Sequence, residues 1–317
     1  MTLRIKPLIV GFLALSLANC TDGRSTSIDL GVSTRWHSEE DVFEIAEGAR
    51  LGYASAGNGK NTLILLHGFG ARSDVWREFY VSISGGGVRY VALDLIGHGR
   101  SATSGWTNYT VLANASAMAA FIKSKSFDRP VIVGHSLGGL VAIATAQELR
   151  REGRSRPRAL VLIAAPVYPV PYPRFVTAFR DRTLLSVLID QLPARLKSRR
   201  VLRELFYDDS LITDAMVTSY AHNLEDAASL DGVRKTARQL DLAELESFSA
   251  KYNSLNMPIL VIGGEADKVV PPDILLRFAA SVEGVTLVMV PKCGHLLLDE
   301  CPDAVESAIS RFLQSLD

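Results

Sequence analysis

The chain has 317 residues, 48% of them hydrophobic, with 34 acidic side chains against 34 basic ones. That is enough to bury a full core in one large domain carrying an insertion, rather than two independent domains. The charge balance gives no reason to expect a nucleic-acid partner, and the basic clusters Arg150-Arg151, Arg154 to Arg158 and Lys197 to Arg200 read as solvated helix ends.

At the start of the chain, Arg4 and Lys6 precede an apolar run from Leu8 to Ala18. The run is short for a bilayer span and the right length for the apolar region of a secretory signal. Leu17-Ala18-Asn19-Cys20 then resembles the lipobox of bacterial lipoproteins, although Asn19 departs from the small residue usual there. The resemblance implies export, a lipidated Cys20 and a membrane of the cell envelope as partner. Ordinary cleavage nearby would give a periplasmic or secreted protein instead. Residues 1–20 are read as this signal and 21–40, polar and without period, as a flexible tether.

Val42 to Ala56 alternates around glycine and reads as a hairpin, and Thr62 to Leu66 is an unbroken apolar run suited to a strand covered on both faces. His67-Gly68-Phe69-Gly70 follows, then a stretch with helical spacing, Asp74 to Ile83. Tyr90 to Leu93 is the next strand. Thr110 is placed to cap a helix running to Ser124, and Pro130 restarts the chain as the strand Val131 to Val133. Gly134-His135-Ser136-Leu137-Gly138-Gly139 then forms a sharp turn with Ser136 at its apex, opening a helical segment from Leu140 to Leu149. Such a turn strains the serine backbone, and the positions two before and two after it cannot carry side chains.

Later strands are expected at Ala159 to Ala164, near Met257 to Ile262 and at Val285 to Val290, with helices at Asp273 to Ser281 and Pro302 to Leu316. This alternation predicts an α/β fold: a mostly parallel central sheet with helices on both faces. Between residues 167 and 256 the alternation gives way to helical pattern, too long for a loop. These residues are expected to form an inserted helical cap on a core made of 41–166 and 257–317. Phe175, Phe179, Leu184, Leu188 and Leu192 are placed to line one face of its first helix.

A serine hydroxyl needs a base to act as a nucleophile at neutral pH, and a carboxylate must hold that base in one tautomer. The loops after the last two strands supply both: Gly263-Gly264-Glu265-Ala266-Asp267 and Pro291-Lys292-Cys293-Gly294-His295. In the order Ser136, Asp267, His295 the chain resembles the α/β-hydrolase superfamily, in its large branch with a helical cap between the sixth and seventh strands. The resemblance implies that Ser136 is the nucleophile, His295 the general base and acid, and Asp267 the orienting acid. It further implies an oxyanion hole from the backbone amides of Phe69 and Leu137.

Asp94 ends a strand and is the rival for the acid, with turn stabilisation as its other reading. His135 is too near Ser136 to be its base and is expected to pack structurally. His98, in Gly97-His98-Gly99, is given a structural role near the mouth of the site, while Glu265 and Asp299 read as surface or helix-capping groups. None of the six histidines has zinc-site spacing, so no metal is expected, nor any cofactor. An exported protein permits a bridge between Cys293 and Cys301, but their spacing does not dictate one. Two free buried thiols are the default expectation.

Serine as nucleophile disfavours the aspartate-dependent dehalogenase and epoxide hydrolase branches. The first expectation is hydrolysis of a small-molecule carboxylic ester with a short to medium acyl group, since an apolar cap implies an apolar pocket. The alternatives are a carbon-carbon bond hydrolase, a perhydrolase-like enzyme, and a non-catalytic binding protein on the same fold.

Overall fold

Alternation inside the apolar strands divides the interior into two cores. In Asn61–Leu66, Leu63 and Leu65 join one core while Ile64 and Leu66 join the other. Val131 and Val133 are separated from Ile132 in the same way, as are Val161 and Ile163 from Leu160 and Leu162. Because successive side chains point to opposite faces, a strand apolar at every position must be covered on both sides.

The computed structural model describes residues 41–316 except 47, 83–86, 102–104, 152, 154–155 and 181–190. All of these lie in the unit Thr34–Asp317. The expected signal, the tether and Cys20 fall outside the described residues, and among those described no helix is long and apolar enough to cross a membrane.

The strands are β1 (Val42–Ala46), β2 (Ala49–Ala56), β3 (Asn61–Leu66), β4 (Val88–Leu93), β5 (Val131–His135), β6 (Ala159–Ile163), β7 (Ile259–Gly264) and β8 (Val285–Val290). They form one sheet in the order β1-β2-β4-β3-β5-β6-β7-β8. Only the pairings made by β2 are antiparallel; from β4 to β8 every neighbour is parallel.

Helices α1 (Arg77–Ser82), α2 (Val111–Ser124) and α3 (Leu137–Arg151) connect the earlier strands. Between β6 and β7 come α4 (Arg174–Arg180), α5 (Ala194–Leu205), α6 (Asp214–Glu225), α7 (Ala227–Gln239) and α8 (Leu242–Ser249). Helix α9 (Pro272–Ser281) precedes β8, and α10 (Leu297–Glu300) and α11 (Pro302–Ser315) follow it. One core takes residues of α2, α3 and α9, the other residues of α1 and α11, so the sheet is covered on both faces. Thr110 caps α2 through a hydrogen bond from the Ala113 amide, as its sequence position suggests.

Three expectations need correction. Helix α3 starts at Leu137 rather than Leu140, because Gly138 and Gly139 serve close packing inside the helix and do not delay it; a Cβ on Gly139 would lie 2.5 Å from that of Ala165. Leu192 is not on a helix and is 41% exposed, so it lines nothing; Leu184 and Leu188 lie outside the described residues. Lys197 to Arg200 is the middle of α5 and not a solvated helix end. Ser198 faces inward there, while Arg199 bonds Asp214 on α6.

The turn between β5 and α3 holds Ser136 at φ 51°, in the left-handed region that non-glycine residues rarely occupy. A Cβ on Gly134 would meet the Gly138 carbonyl oxygen at 2.3 Å, and one on Gly138 would meet the Leu66 oxygen at 2.3 Å. Both obstacles are backbone, so neither can swing aside. We expect Gly134→Ala to lower the unfolding free energy by at least about 2 kcal/mol, read from urea denaturation.

Candidate active site

Parallel strands open their carboxyl ends on one edge, and the loops that leave β5, β7 and β8 bring three distant residues together there. The Nε2 of His295 lies 3.0 Å from the Ser136 Oγ, and its Nδ1 lies 2.8 Å from the Asp267 Oδ2. An imidazole donating from Nδ1 to the carboxylate leaves Nε2 free to accept the serine proton. The second Asp267 oxygen accepts from the amides of Val269 at 2.7 Å and Val270 at 2.9 Å, which fixes the carboxylate plane. Asp267 and His295 are buried, while Ser136 is half-buried and faces a cleft.

The loop after β3 is pressed against the serine. A Cβ on Gly68 would lie 2.9 Å from His135 Nδ1 and 3.2 Å from Ser136 Cβ. Phe69 is the next residue and lines the cleft, and Leu137 is the first residue of α3, directly after the serine.

Two buried imidazoles hold that loop. His67 donates from Nδ1 to the Gly68 carbonyl oxygen at 2.8 Å and accepts at Nε2 from the Leu95 amide at 2.9 Å. His98 accepts from the Gly70 amide at 3.2 Å and donates to the Ile96 oxygen at 3.1 Å. At 1% exposure, His98 stands behind the loop and not at the mouth of the site as expected. Asp94 has the turn-stabilising role: it accepts from the Ser73 and Arg100 amides and pairs with the Arg100 guanidinium, and it does not contact His295.

His135 donates from Nε2 to the His295 backbone oxygen at 2.9 Å, so it supports the loop of His295 without touching the serine hydroxyl. Burial lowers the pKa of His67, and lowers those of His98 and His135 to about 3. All three are therefore neutral parts of the scaffold at ordinary pH.

The His295 loop is tied at three further points. Glu300, buried and missed by sequence reasoning, accepts from the Gly294 amide at 2.6 Å and from the amides of Tyr207 at 2.8 Å and Asp208 at 2.7 Å. It thus joins the loop to the residues just after α5, whose own Leu205 oxygen accepts from the His295 amide at 2.7 Å. Cys293 and Cys301 form a disulfide with Cα atoms 6.4 Å apart, which corrects the expectation of free thiols. Helix α10 folds the chain back on itself and brings the two together, a distance that sequence spacing does not contain.

The cleft encloses about 830 Å³, counting the part open to solvent, and is mostly apolar, with Phe69, Phe175, Phe179, Leu202 and Leu205 among its lining residues. Phe175 and Phe179 on α4 stand with ring centres 6.3 Å and 6.2 Å from that of Phe69. Asp299 is not the surface or capping group expected from sequence. It lines the cleft and accepts from the Tyr220 hydroxyl at 2.9 Å, while Glu265 is exposed as expected. Ser198 lines the cleft as well. These inward polar groups were illegible because helical periodicity does not say which face of a helix meets the site. Among the described residues no group of His, Cys, Asp or Glu is arranged to hold a metal ion.

The sequence pattern of the alpha/beta hydrolase family matches residues 63–308. A 2-hydroxy-6-oxononadienedioate/2-hydroxy-6-oxononatrienedioate hydrolase of Paraburkholderia phymatum is 27% identical over 270 residues, spanning 80% of this chain and 88% of that one. Among solved structures, a meta-cleavage product hydrolase of Pseudomonas fluorescens IP01 superimposes with a TM-score of 0.73 at 23% identity, over 88% of this chain and 98% of its own. A thermophilic esterase of Thermogutta terrifontis does so with a TM-score of 0.69 at 23% identity, over 84% and 94%. At that identity the two structures speak for the shared fold.

Two outcomes test this geometry. Unfolding frees His98 and His135 to bind protons below about pH 6.5, whereas in the folded chain they do so only near 3. Stability therefore falls as the pH drops through that window, and urea midpoints at pH 7 and pH 4.5 should differ in that direction. Glu300→Ala leaves three amides without their carboxylate and should cost about 3 kcal/mol or more in the same assay.

Proposed function

We propose that this chain, which belongs to the alpha/beta hydrolase family, is a serine hydrolase in which Ser136 attacks a carbonyl carbon of an apolar substrate. The observation that carries the reading is the unbroken line from Asp267 through His295 to Ser136, with contacts of 2.8 Å and 3.0 Å, on a serine raised by its strained turn. His295 takes the serine proton as the bond to carbon forms, and Asp267 stabilises the imidazolium. The amides of Phe69 and Leu137 are the proposed donors to the oxyanion, at the loop that His67 and His98 hold and at the first turn of α3. Collapse of the adduct expels the leaving group, which His295 protonates. Water activated by the same imidazole then releases the acid from Ser136.

The bond broken is the finer question. The curated relative's name describes hydrolysis of a 2-hydroxy-6-oxo dienedioate, and this supports cleavage of a carbon-carbon bond beside a ketone over the ester first expected from sequence. In that reaction the 2-hydroxydiene must first tautomerise, its hydroxyl proton moving to the carbon beside the ketone; once Ser136 has added to the ketone, that carbon can depart with its electron pair as an enolate, which takes its proton from His295. One observation favours ester hydrolysis as the second reading: the described lining of the cleft contributes no lysine or arginine to meet a dicarboxylate. Export through residues 1–20, with Cys20 as the point of lipid attachment, completes the proposal and rests on their sequence pattern.

A pair of assays tests the reading: loss of the dienolate chromophore of a ring-fission product, and release of p-nitrophenol from esters of increasing acyl length. We expect Ser136→Ala to lose about a thousandfold or more in kcat on whichever substrate is turned over. Asp267→Asn should lose a comparable factor in kcat with KM changed far less, because it alters the tautomer and orientation of His295 and not the cleft. Full activity in Ser136→Ala would refute the reading.

A further inference from the structure

Three polar side chains that the proposed chemistry does not use stand in the lining of the apolar cleft. Ser198 on α5, Tyr220 on α6 and Asp299 on α10 all line the cleft, although they come from three separate elements. The Tyr220 hydroxyl donates to one Asp299 oxygen at 2.9 Å. Ser198 is 3% exposed, and its hydroxyl has no hydrogen-bond partner among the described residues. A buried hydroxyl left unpaired is unfavourable, so its place in the lining of a cleft points to a ligand group that pairs with it.

The unspent hydrogen-bonding capacity of these three side chains is mainly for accepting. An ionised carboxylate only accepts hydrogen bonds, and the phenol has already given its single proton to it. What remains is the second Asp299 oxygen, the lone pairs of Tyr220 and a serine hydroxyl that can both give and accept. Burial pushes the Asp299 carboxyl up to about 6, opposed by the Tyr220 hydrogen bond, so above that pH a carboxylate faces the cleft, with no cation in the cleft's lining among the described residues. A tie between cap and core would need only the bond from Tyr220 and would leave the Ser198 hydroxyl unexplained.

We propose that Ser198, Tyr220 and Asp299 form a recognition subsite for a hydrogen-bond donor, a hydroxyl or an ammonium, carried on a part of the substrate other than the carbonyl that Ser136 attacks. The proposal deepens the serine hydrolase reading and rests on it for the identity of that carbonyl. It also sets the charge of the preferred ligand: the subsite that welcomes a hydroxyl or ammonium repels a carboxylate, unlike a site built for a dicarboxylate.

The test is binding, which needs no turnover. Titration calorimetry at pH 8 compares linear alkylamines, alcohols and carboxylates of four to ten carbons with the wild-type chain. At the chain length that reaches the subsite, the ammonium and the alcohol should bind at least about tenfold more tightly than the carboxylate. Asp299→Asn should remove the ammonium preference, and Ser198→Ala should weaken the alcohol several-fold. Should Asp299→Asn fail to fold, the Ser198→Ala titration and the wild-type ranking still decide. Equal binding of the three classes, as when water satisfies these side chains, overturns the proposal, and so does a preference for the carboxylate. The ammonium preference in a chain with no Ser136-dependent turnover would refute hydrolysis while leaving the subsite standing. A flat series in an active chain would refute the subsite alone.

Discussion

Backbone packed directly on backbone at the carboxyl edge of β3 and β5 is the constraint on which the site depends. A side chain on Gly138 would drive into the carbonyls of Leu66 and His67, and one on Gly134 into the first turn of α3. Without those side chains the helix can begin at once, and the chain can turn through Ser136 at a positive φ that its packing alone sustains. The same closeness places Gly68 against His135 and Ser136, so the loop carrying Phe69 and the start of α3 meet around one point. The proposed nucleophile and two candidate oxyanion donors are positioned by a single steric arrangement.

Holding the remaining partners in register falls to polar groups kept away from solvent. His67, His98 and His135 are buried and neutral, each joining one loop of the site to another, and Glu300 gathers three amides from the His295 loop and the end of α5. The Cys293–Cys301 disulfide closes the same short segment. His295 is thus fixed from below by the sheet, from its own loop by Glu300, and from the cap by the Leu205 carbonyl. The end of α5 and the His295 loop share hydrogen bonds, so a shift of α5 would be felt at the imidazole.

The parts legible in the sequence were those written locally. Unbroken apolar runs marked the buried strands, and the glycines around Ser136 declared a turn no other residues could make. Asp267 and His295 stood in short loops just after such strands, which put them on the edge shared with Ser136. What stayed hidden depended on tertiary neighbours. Lys197 to Arg200 looked like a charged helix end because Arg199 and Arg200 dominate its composition, yet Ser198 between them turns inward. Asp299 read as a surface acid because nothing near it in sequence announces Tyr220, 79 positions earlier. The disulfide depended on a Cα separation of 6.4 Å that α10 creates.

Activation of the Ser136 hydroxyl by His295 is the step on which the proposed chemistry turns. Reaction with a fluorophosphonate followed by peptide mass spectrometry addresses it directly, because such reagents modify a serine only where a base and an oxyanion site assist the attack. The account predicts an adduct confined to the peptide containing Ser136, with its rate reduced by orders of magnitude in His295→Ala. A folded chain that stays unlabelled at Ser136, or that labels equally well without the imidazole, would contradict it.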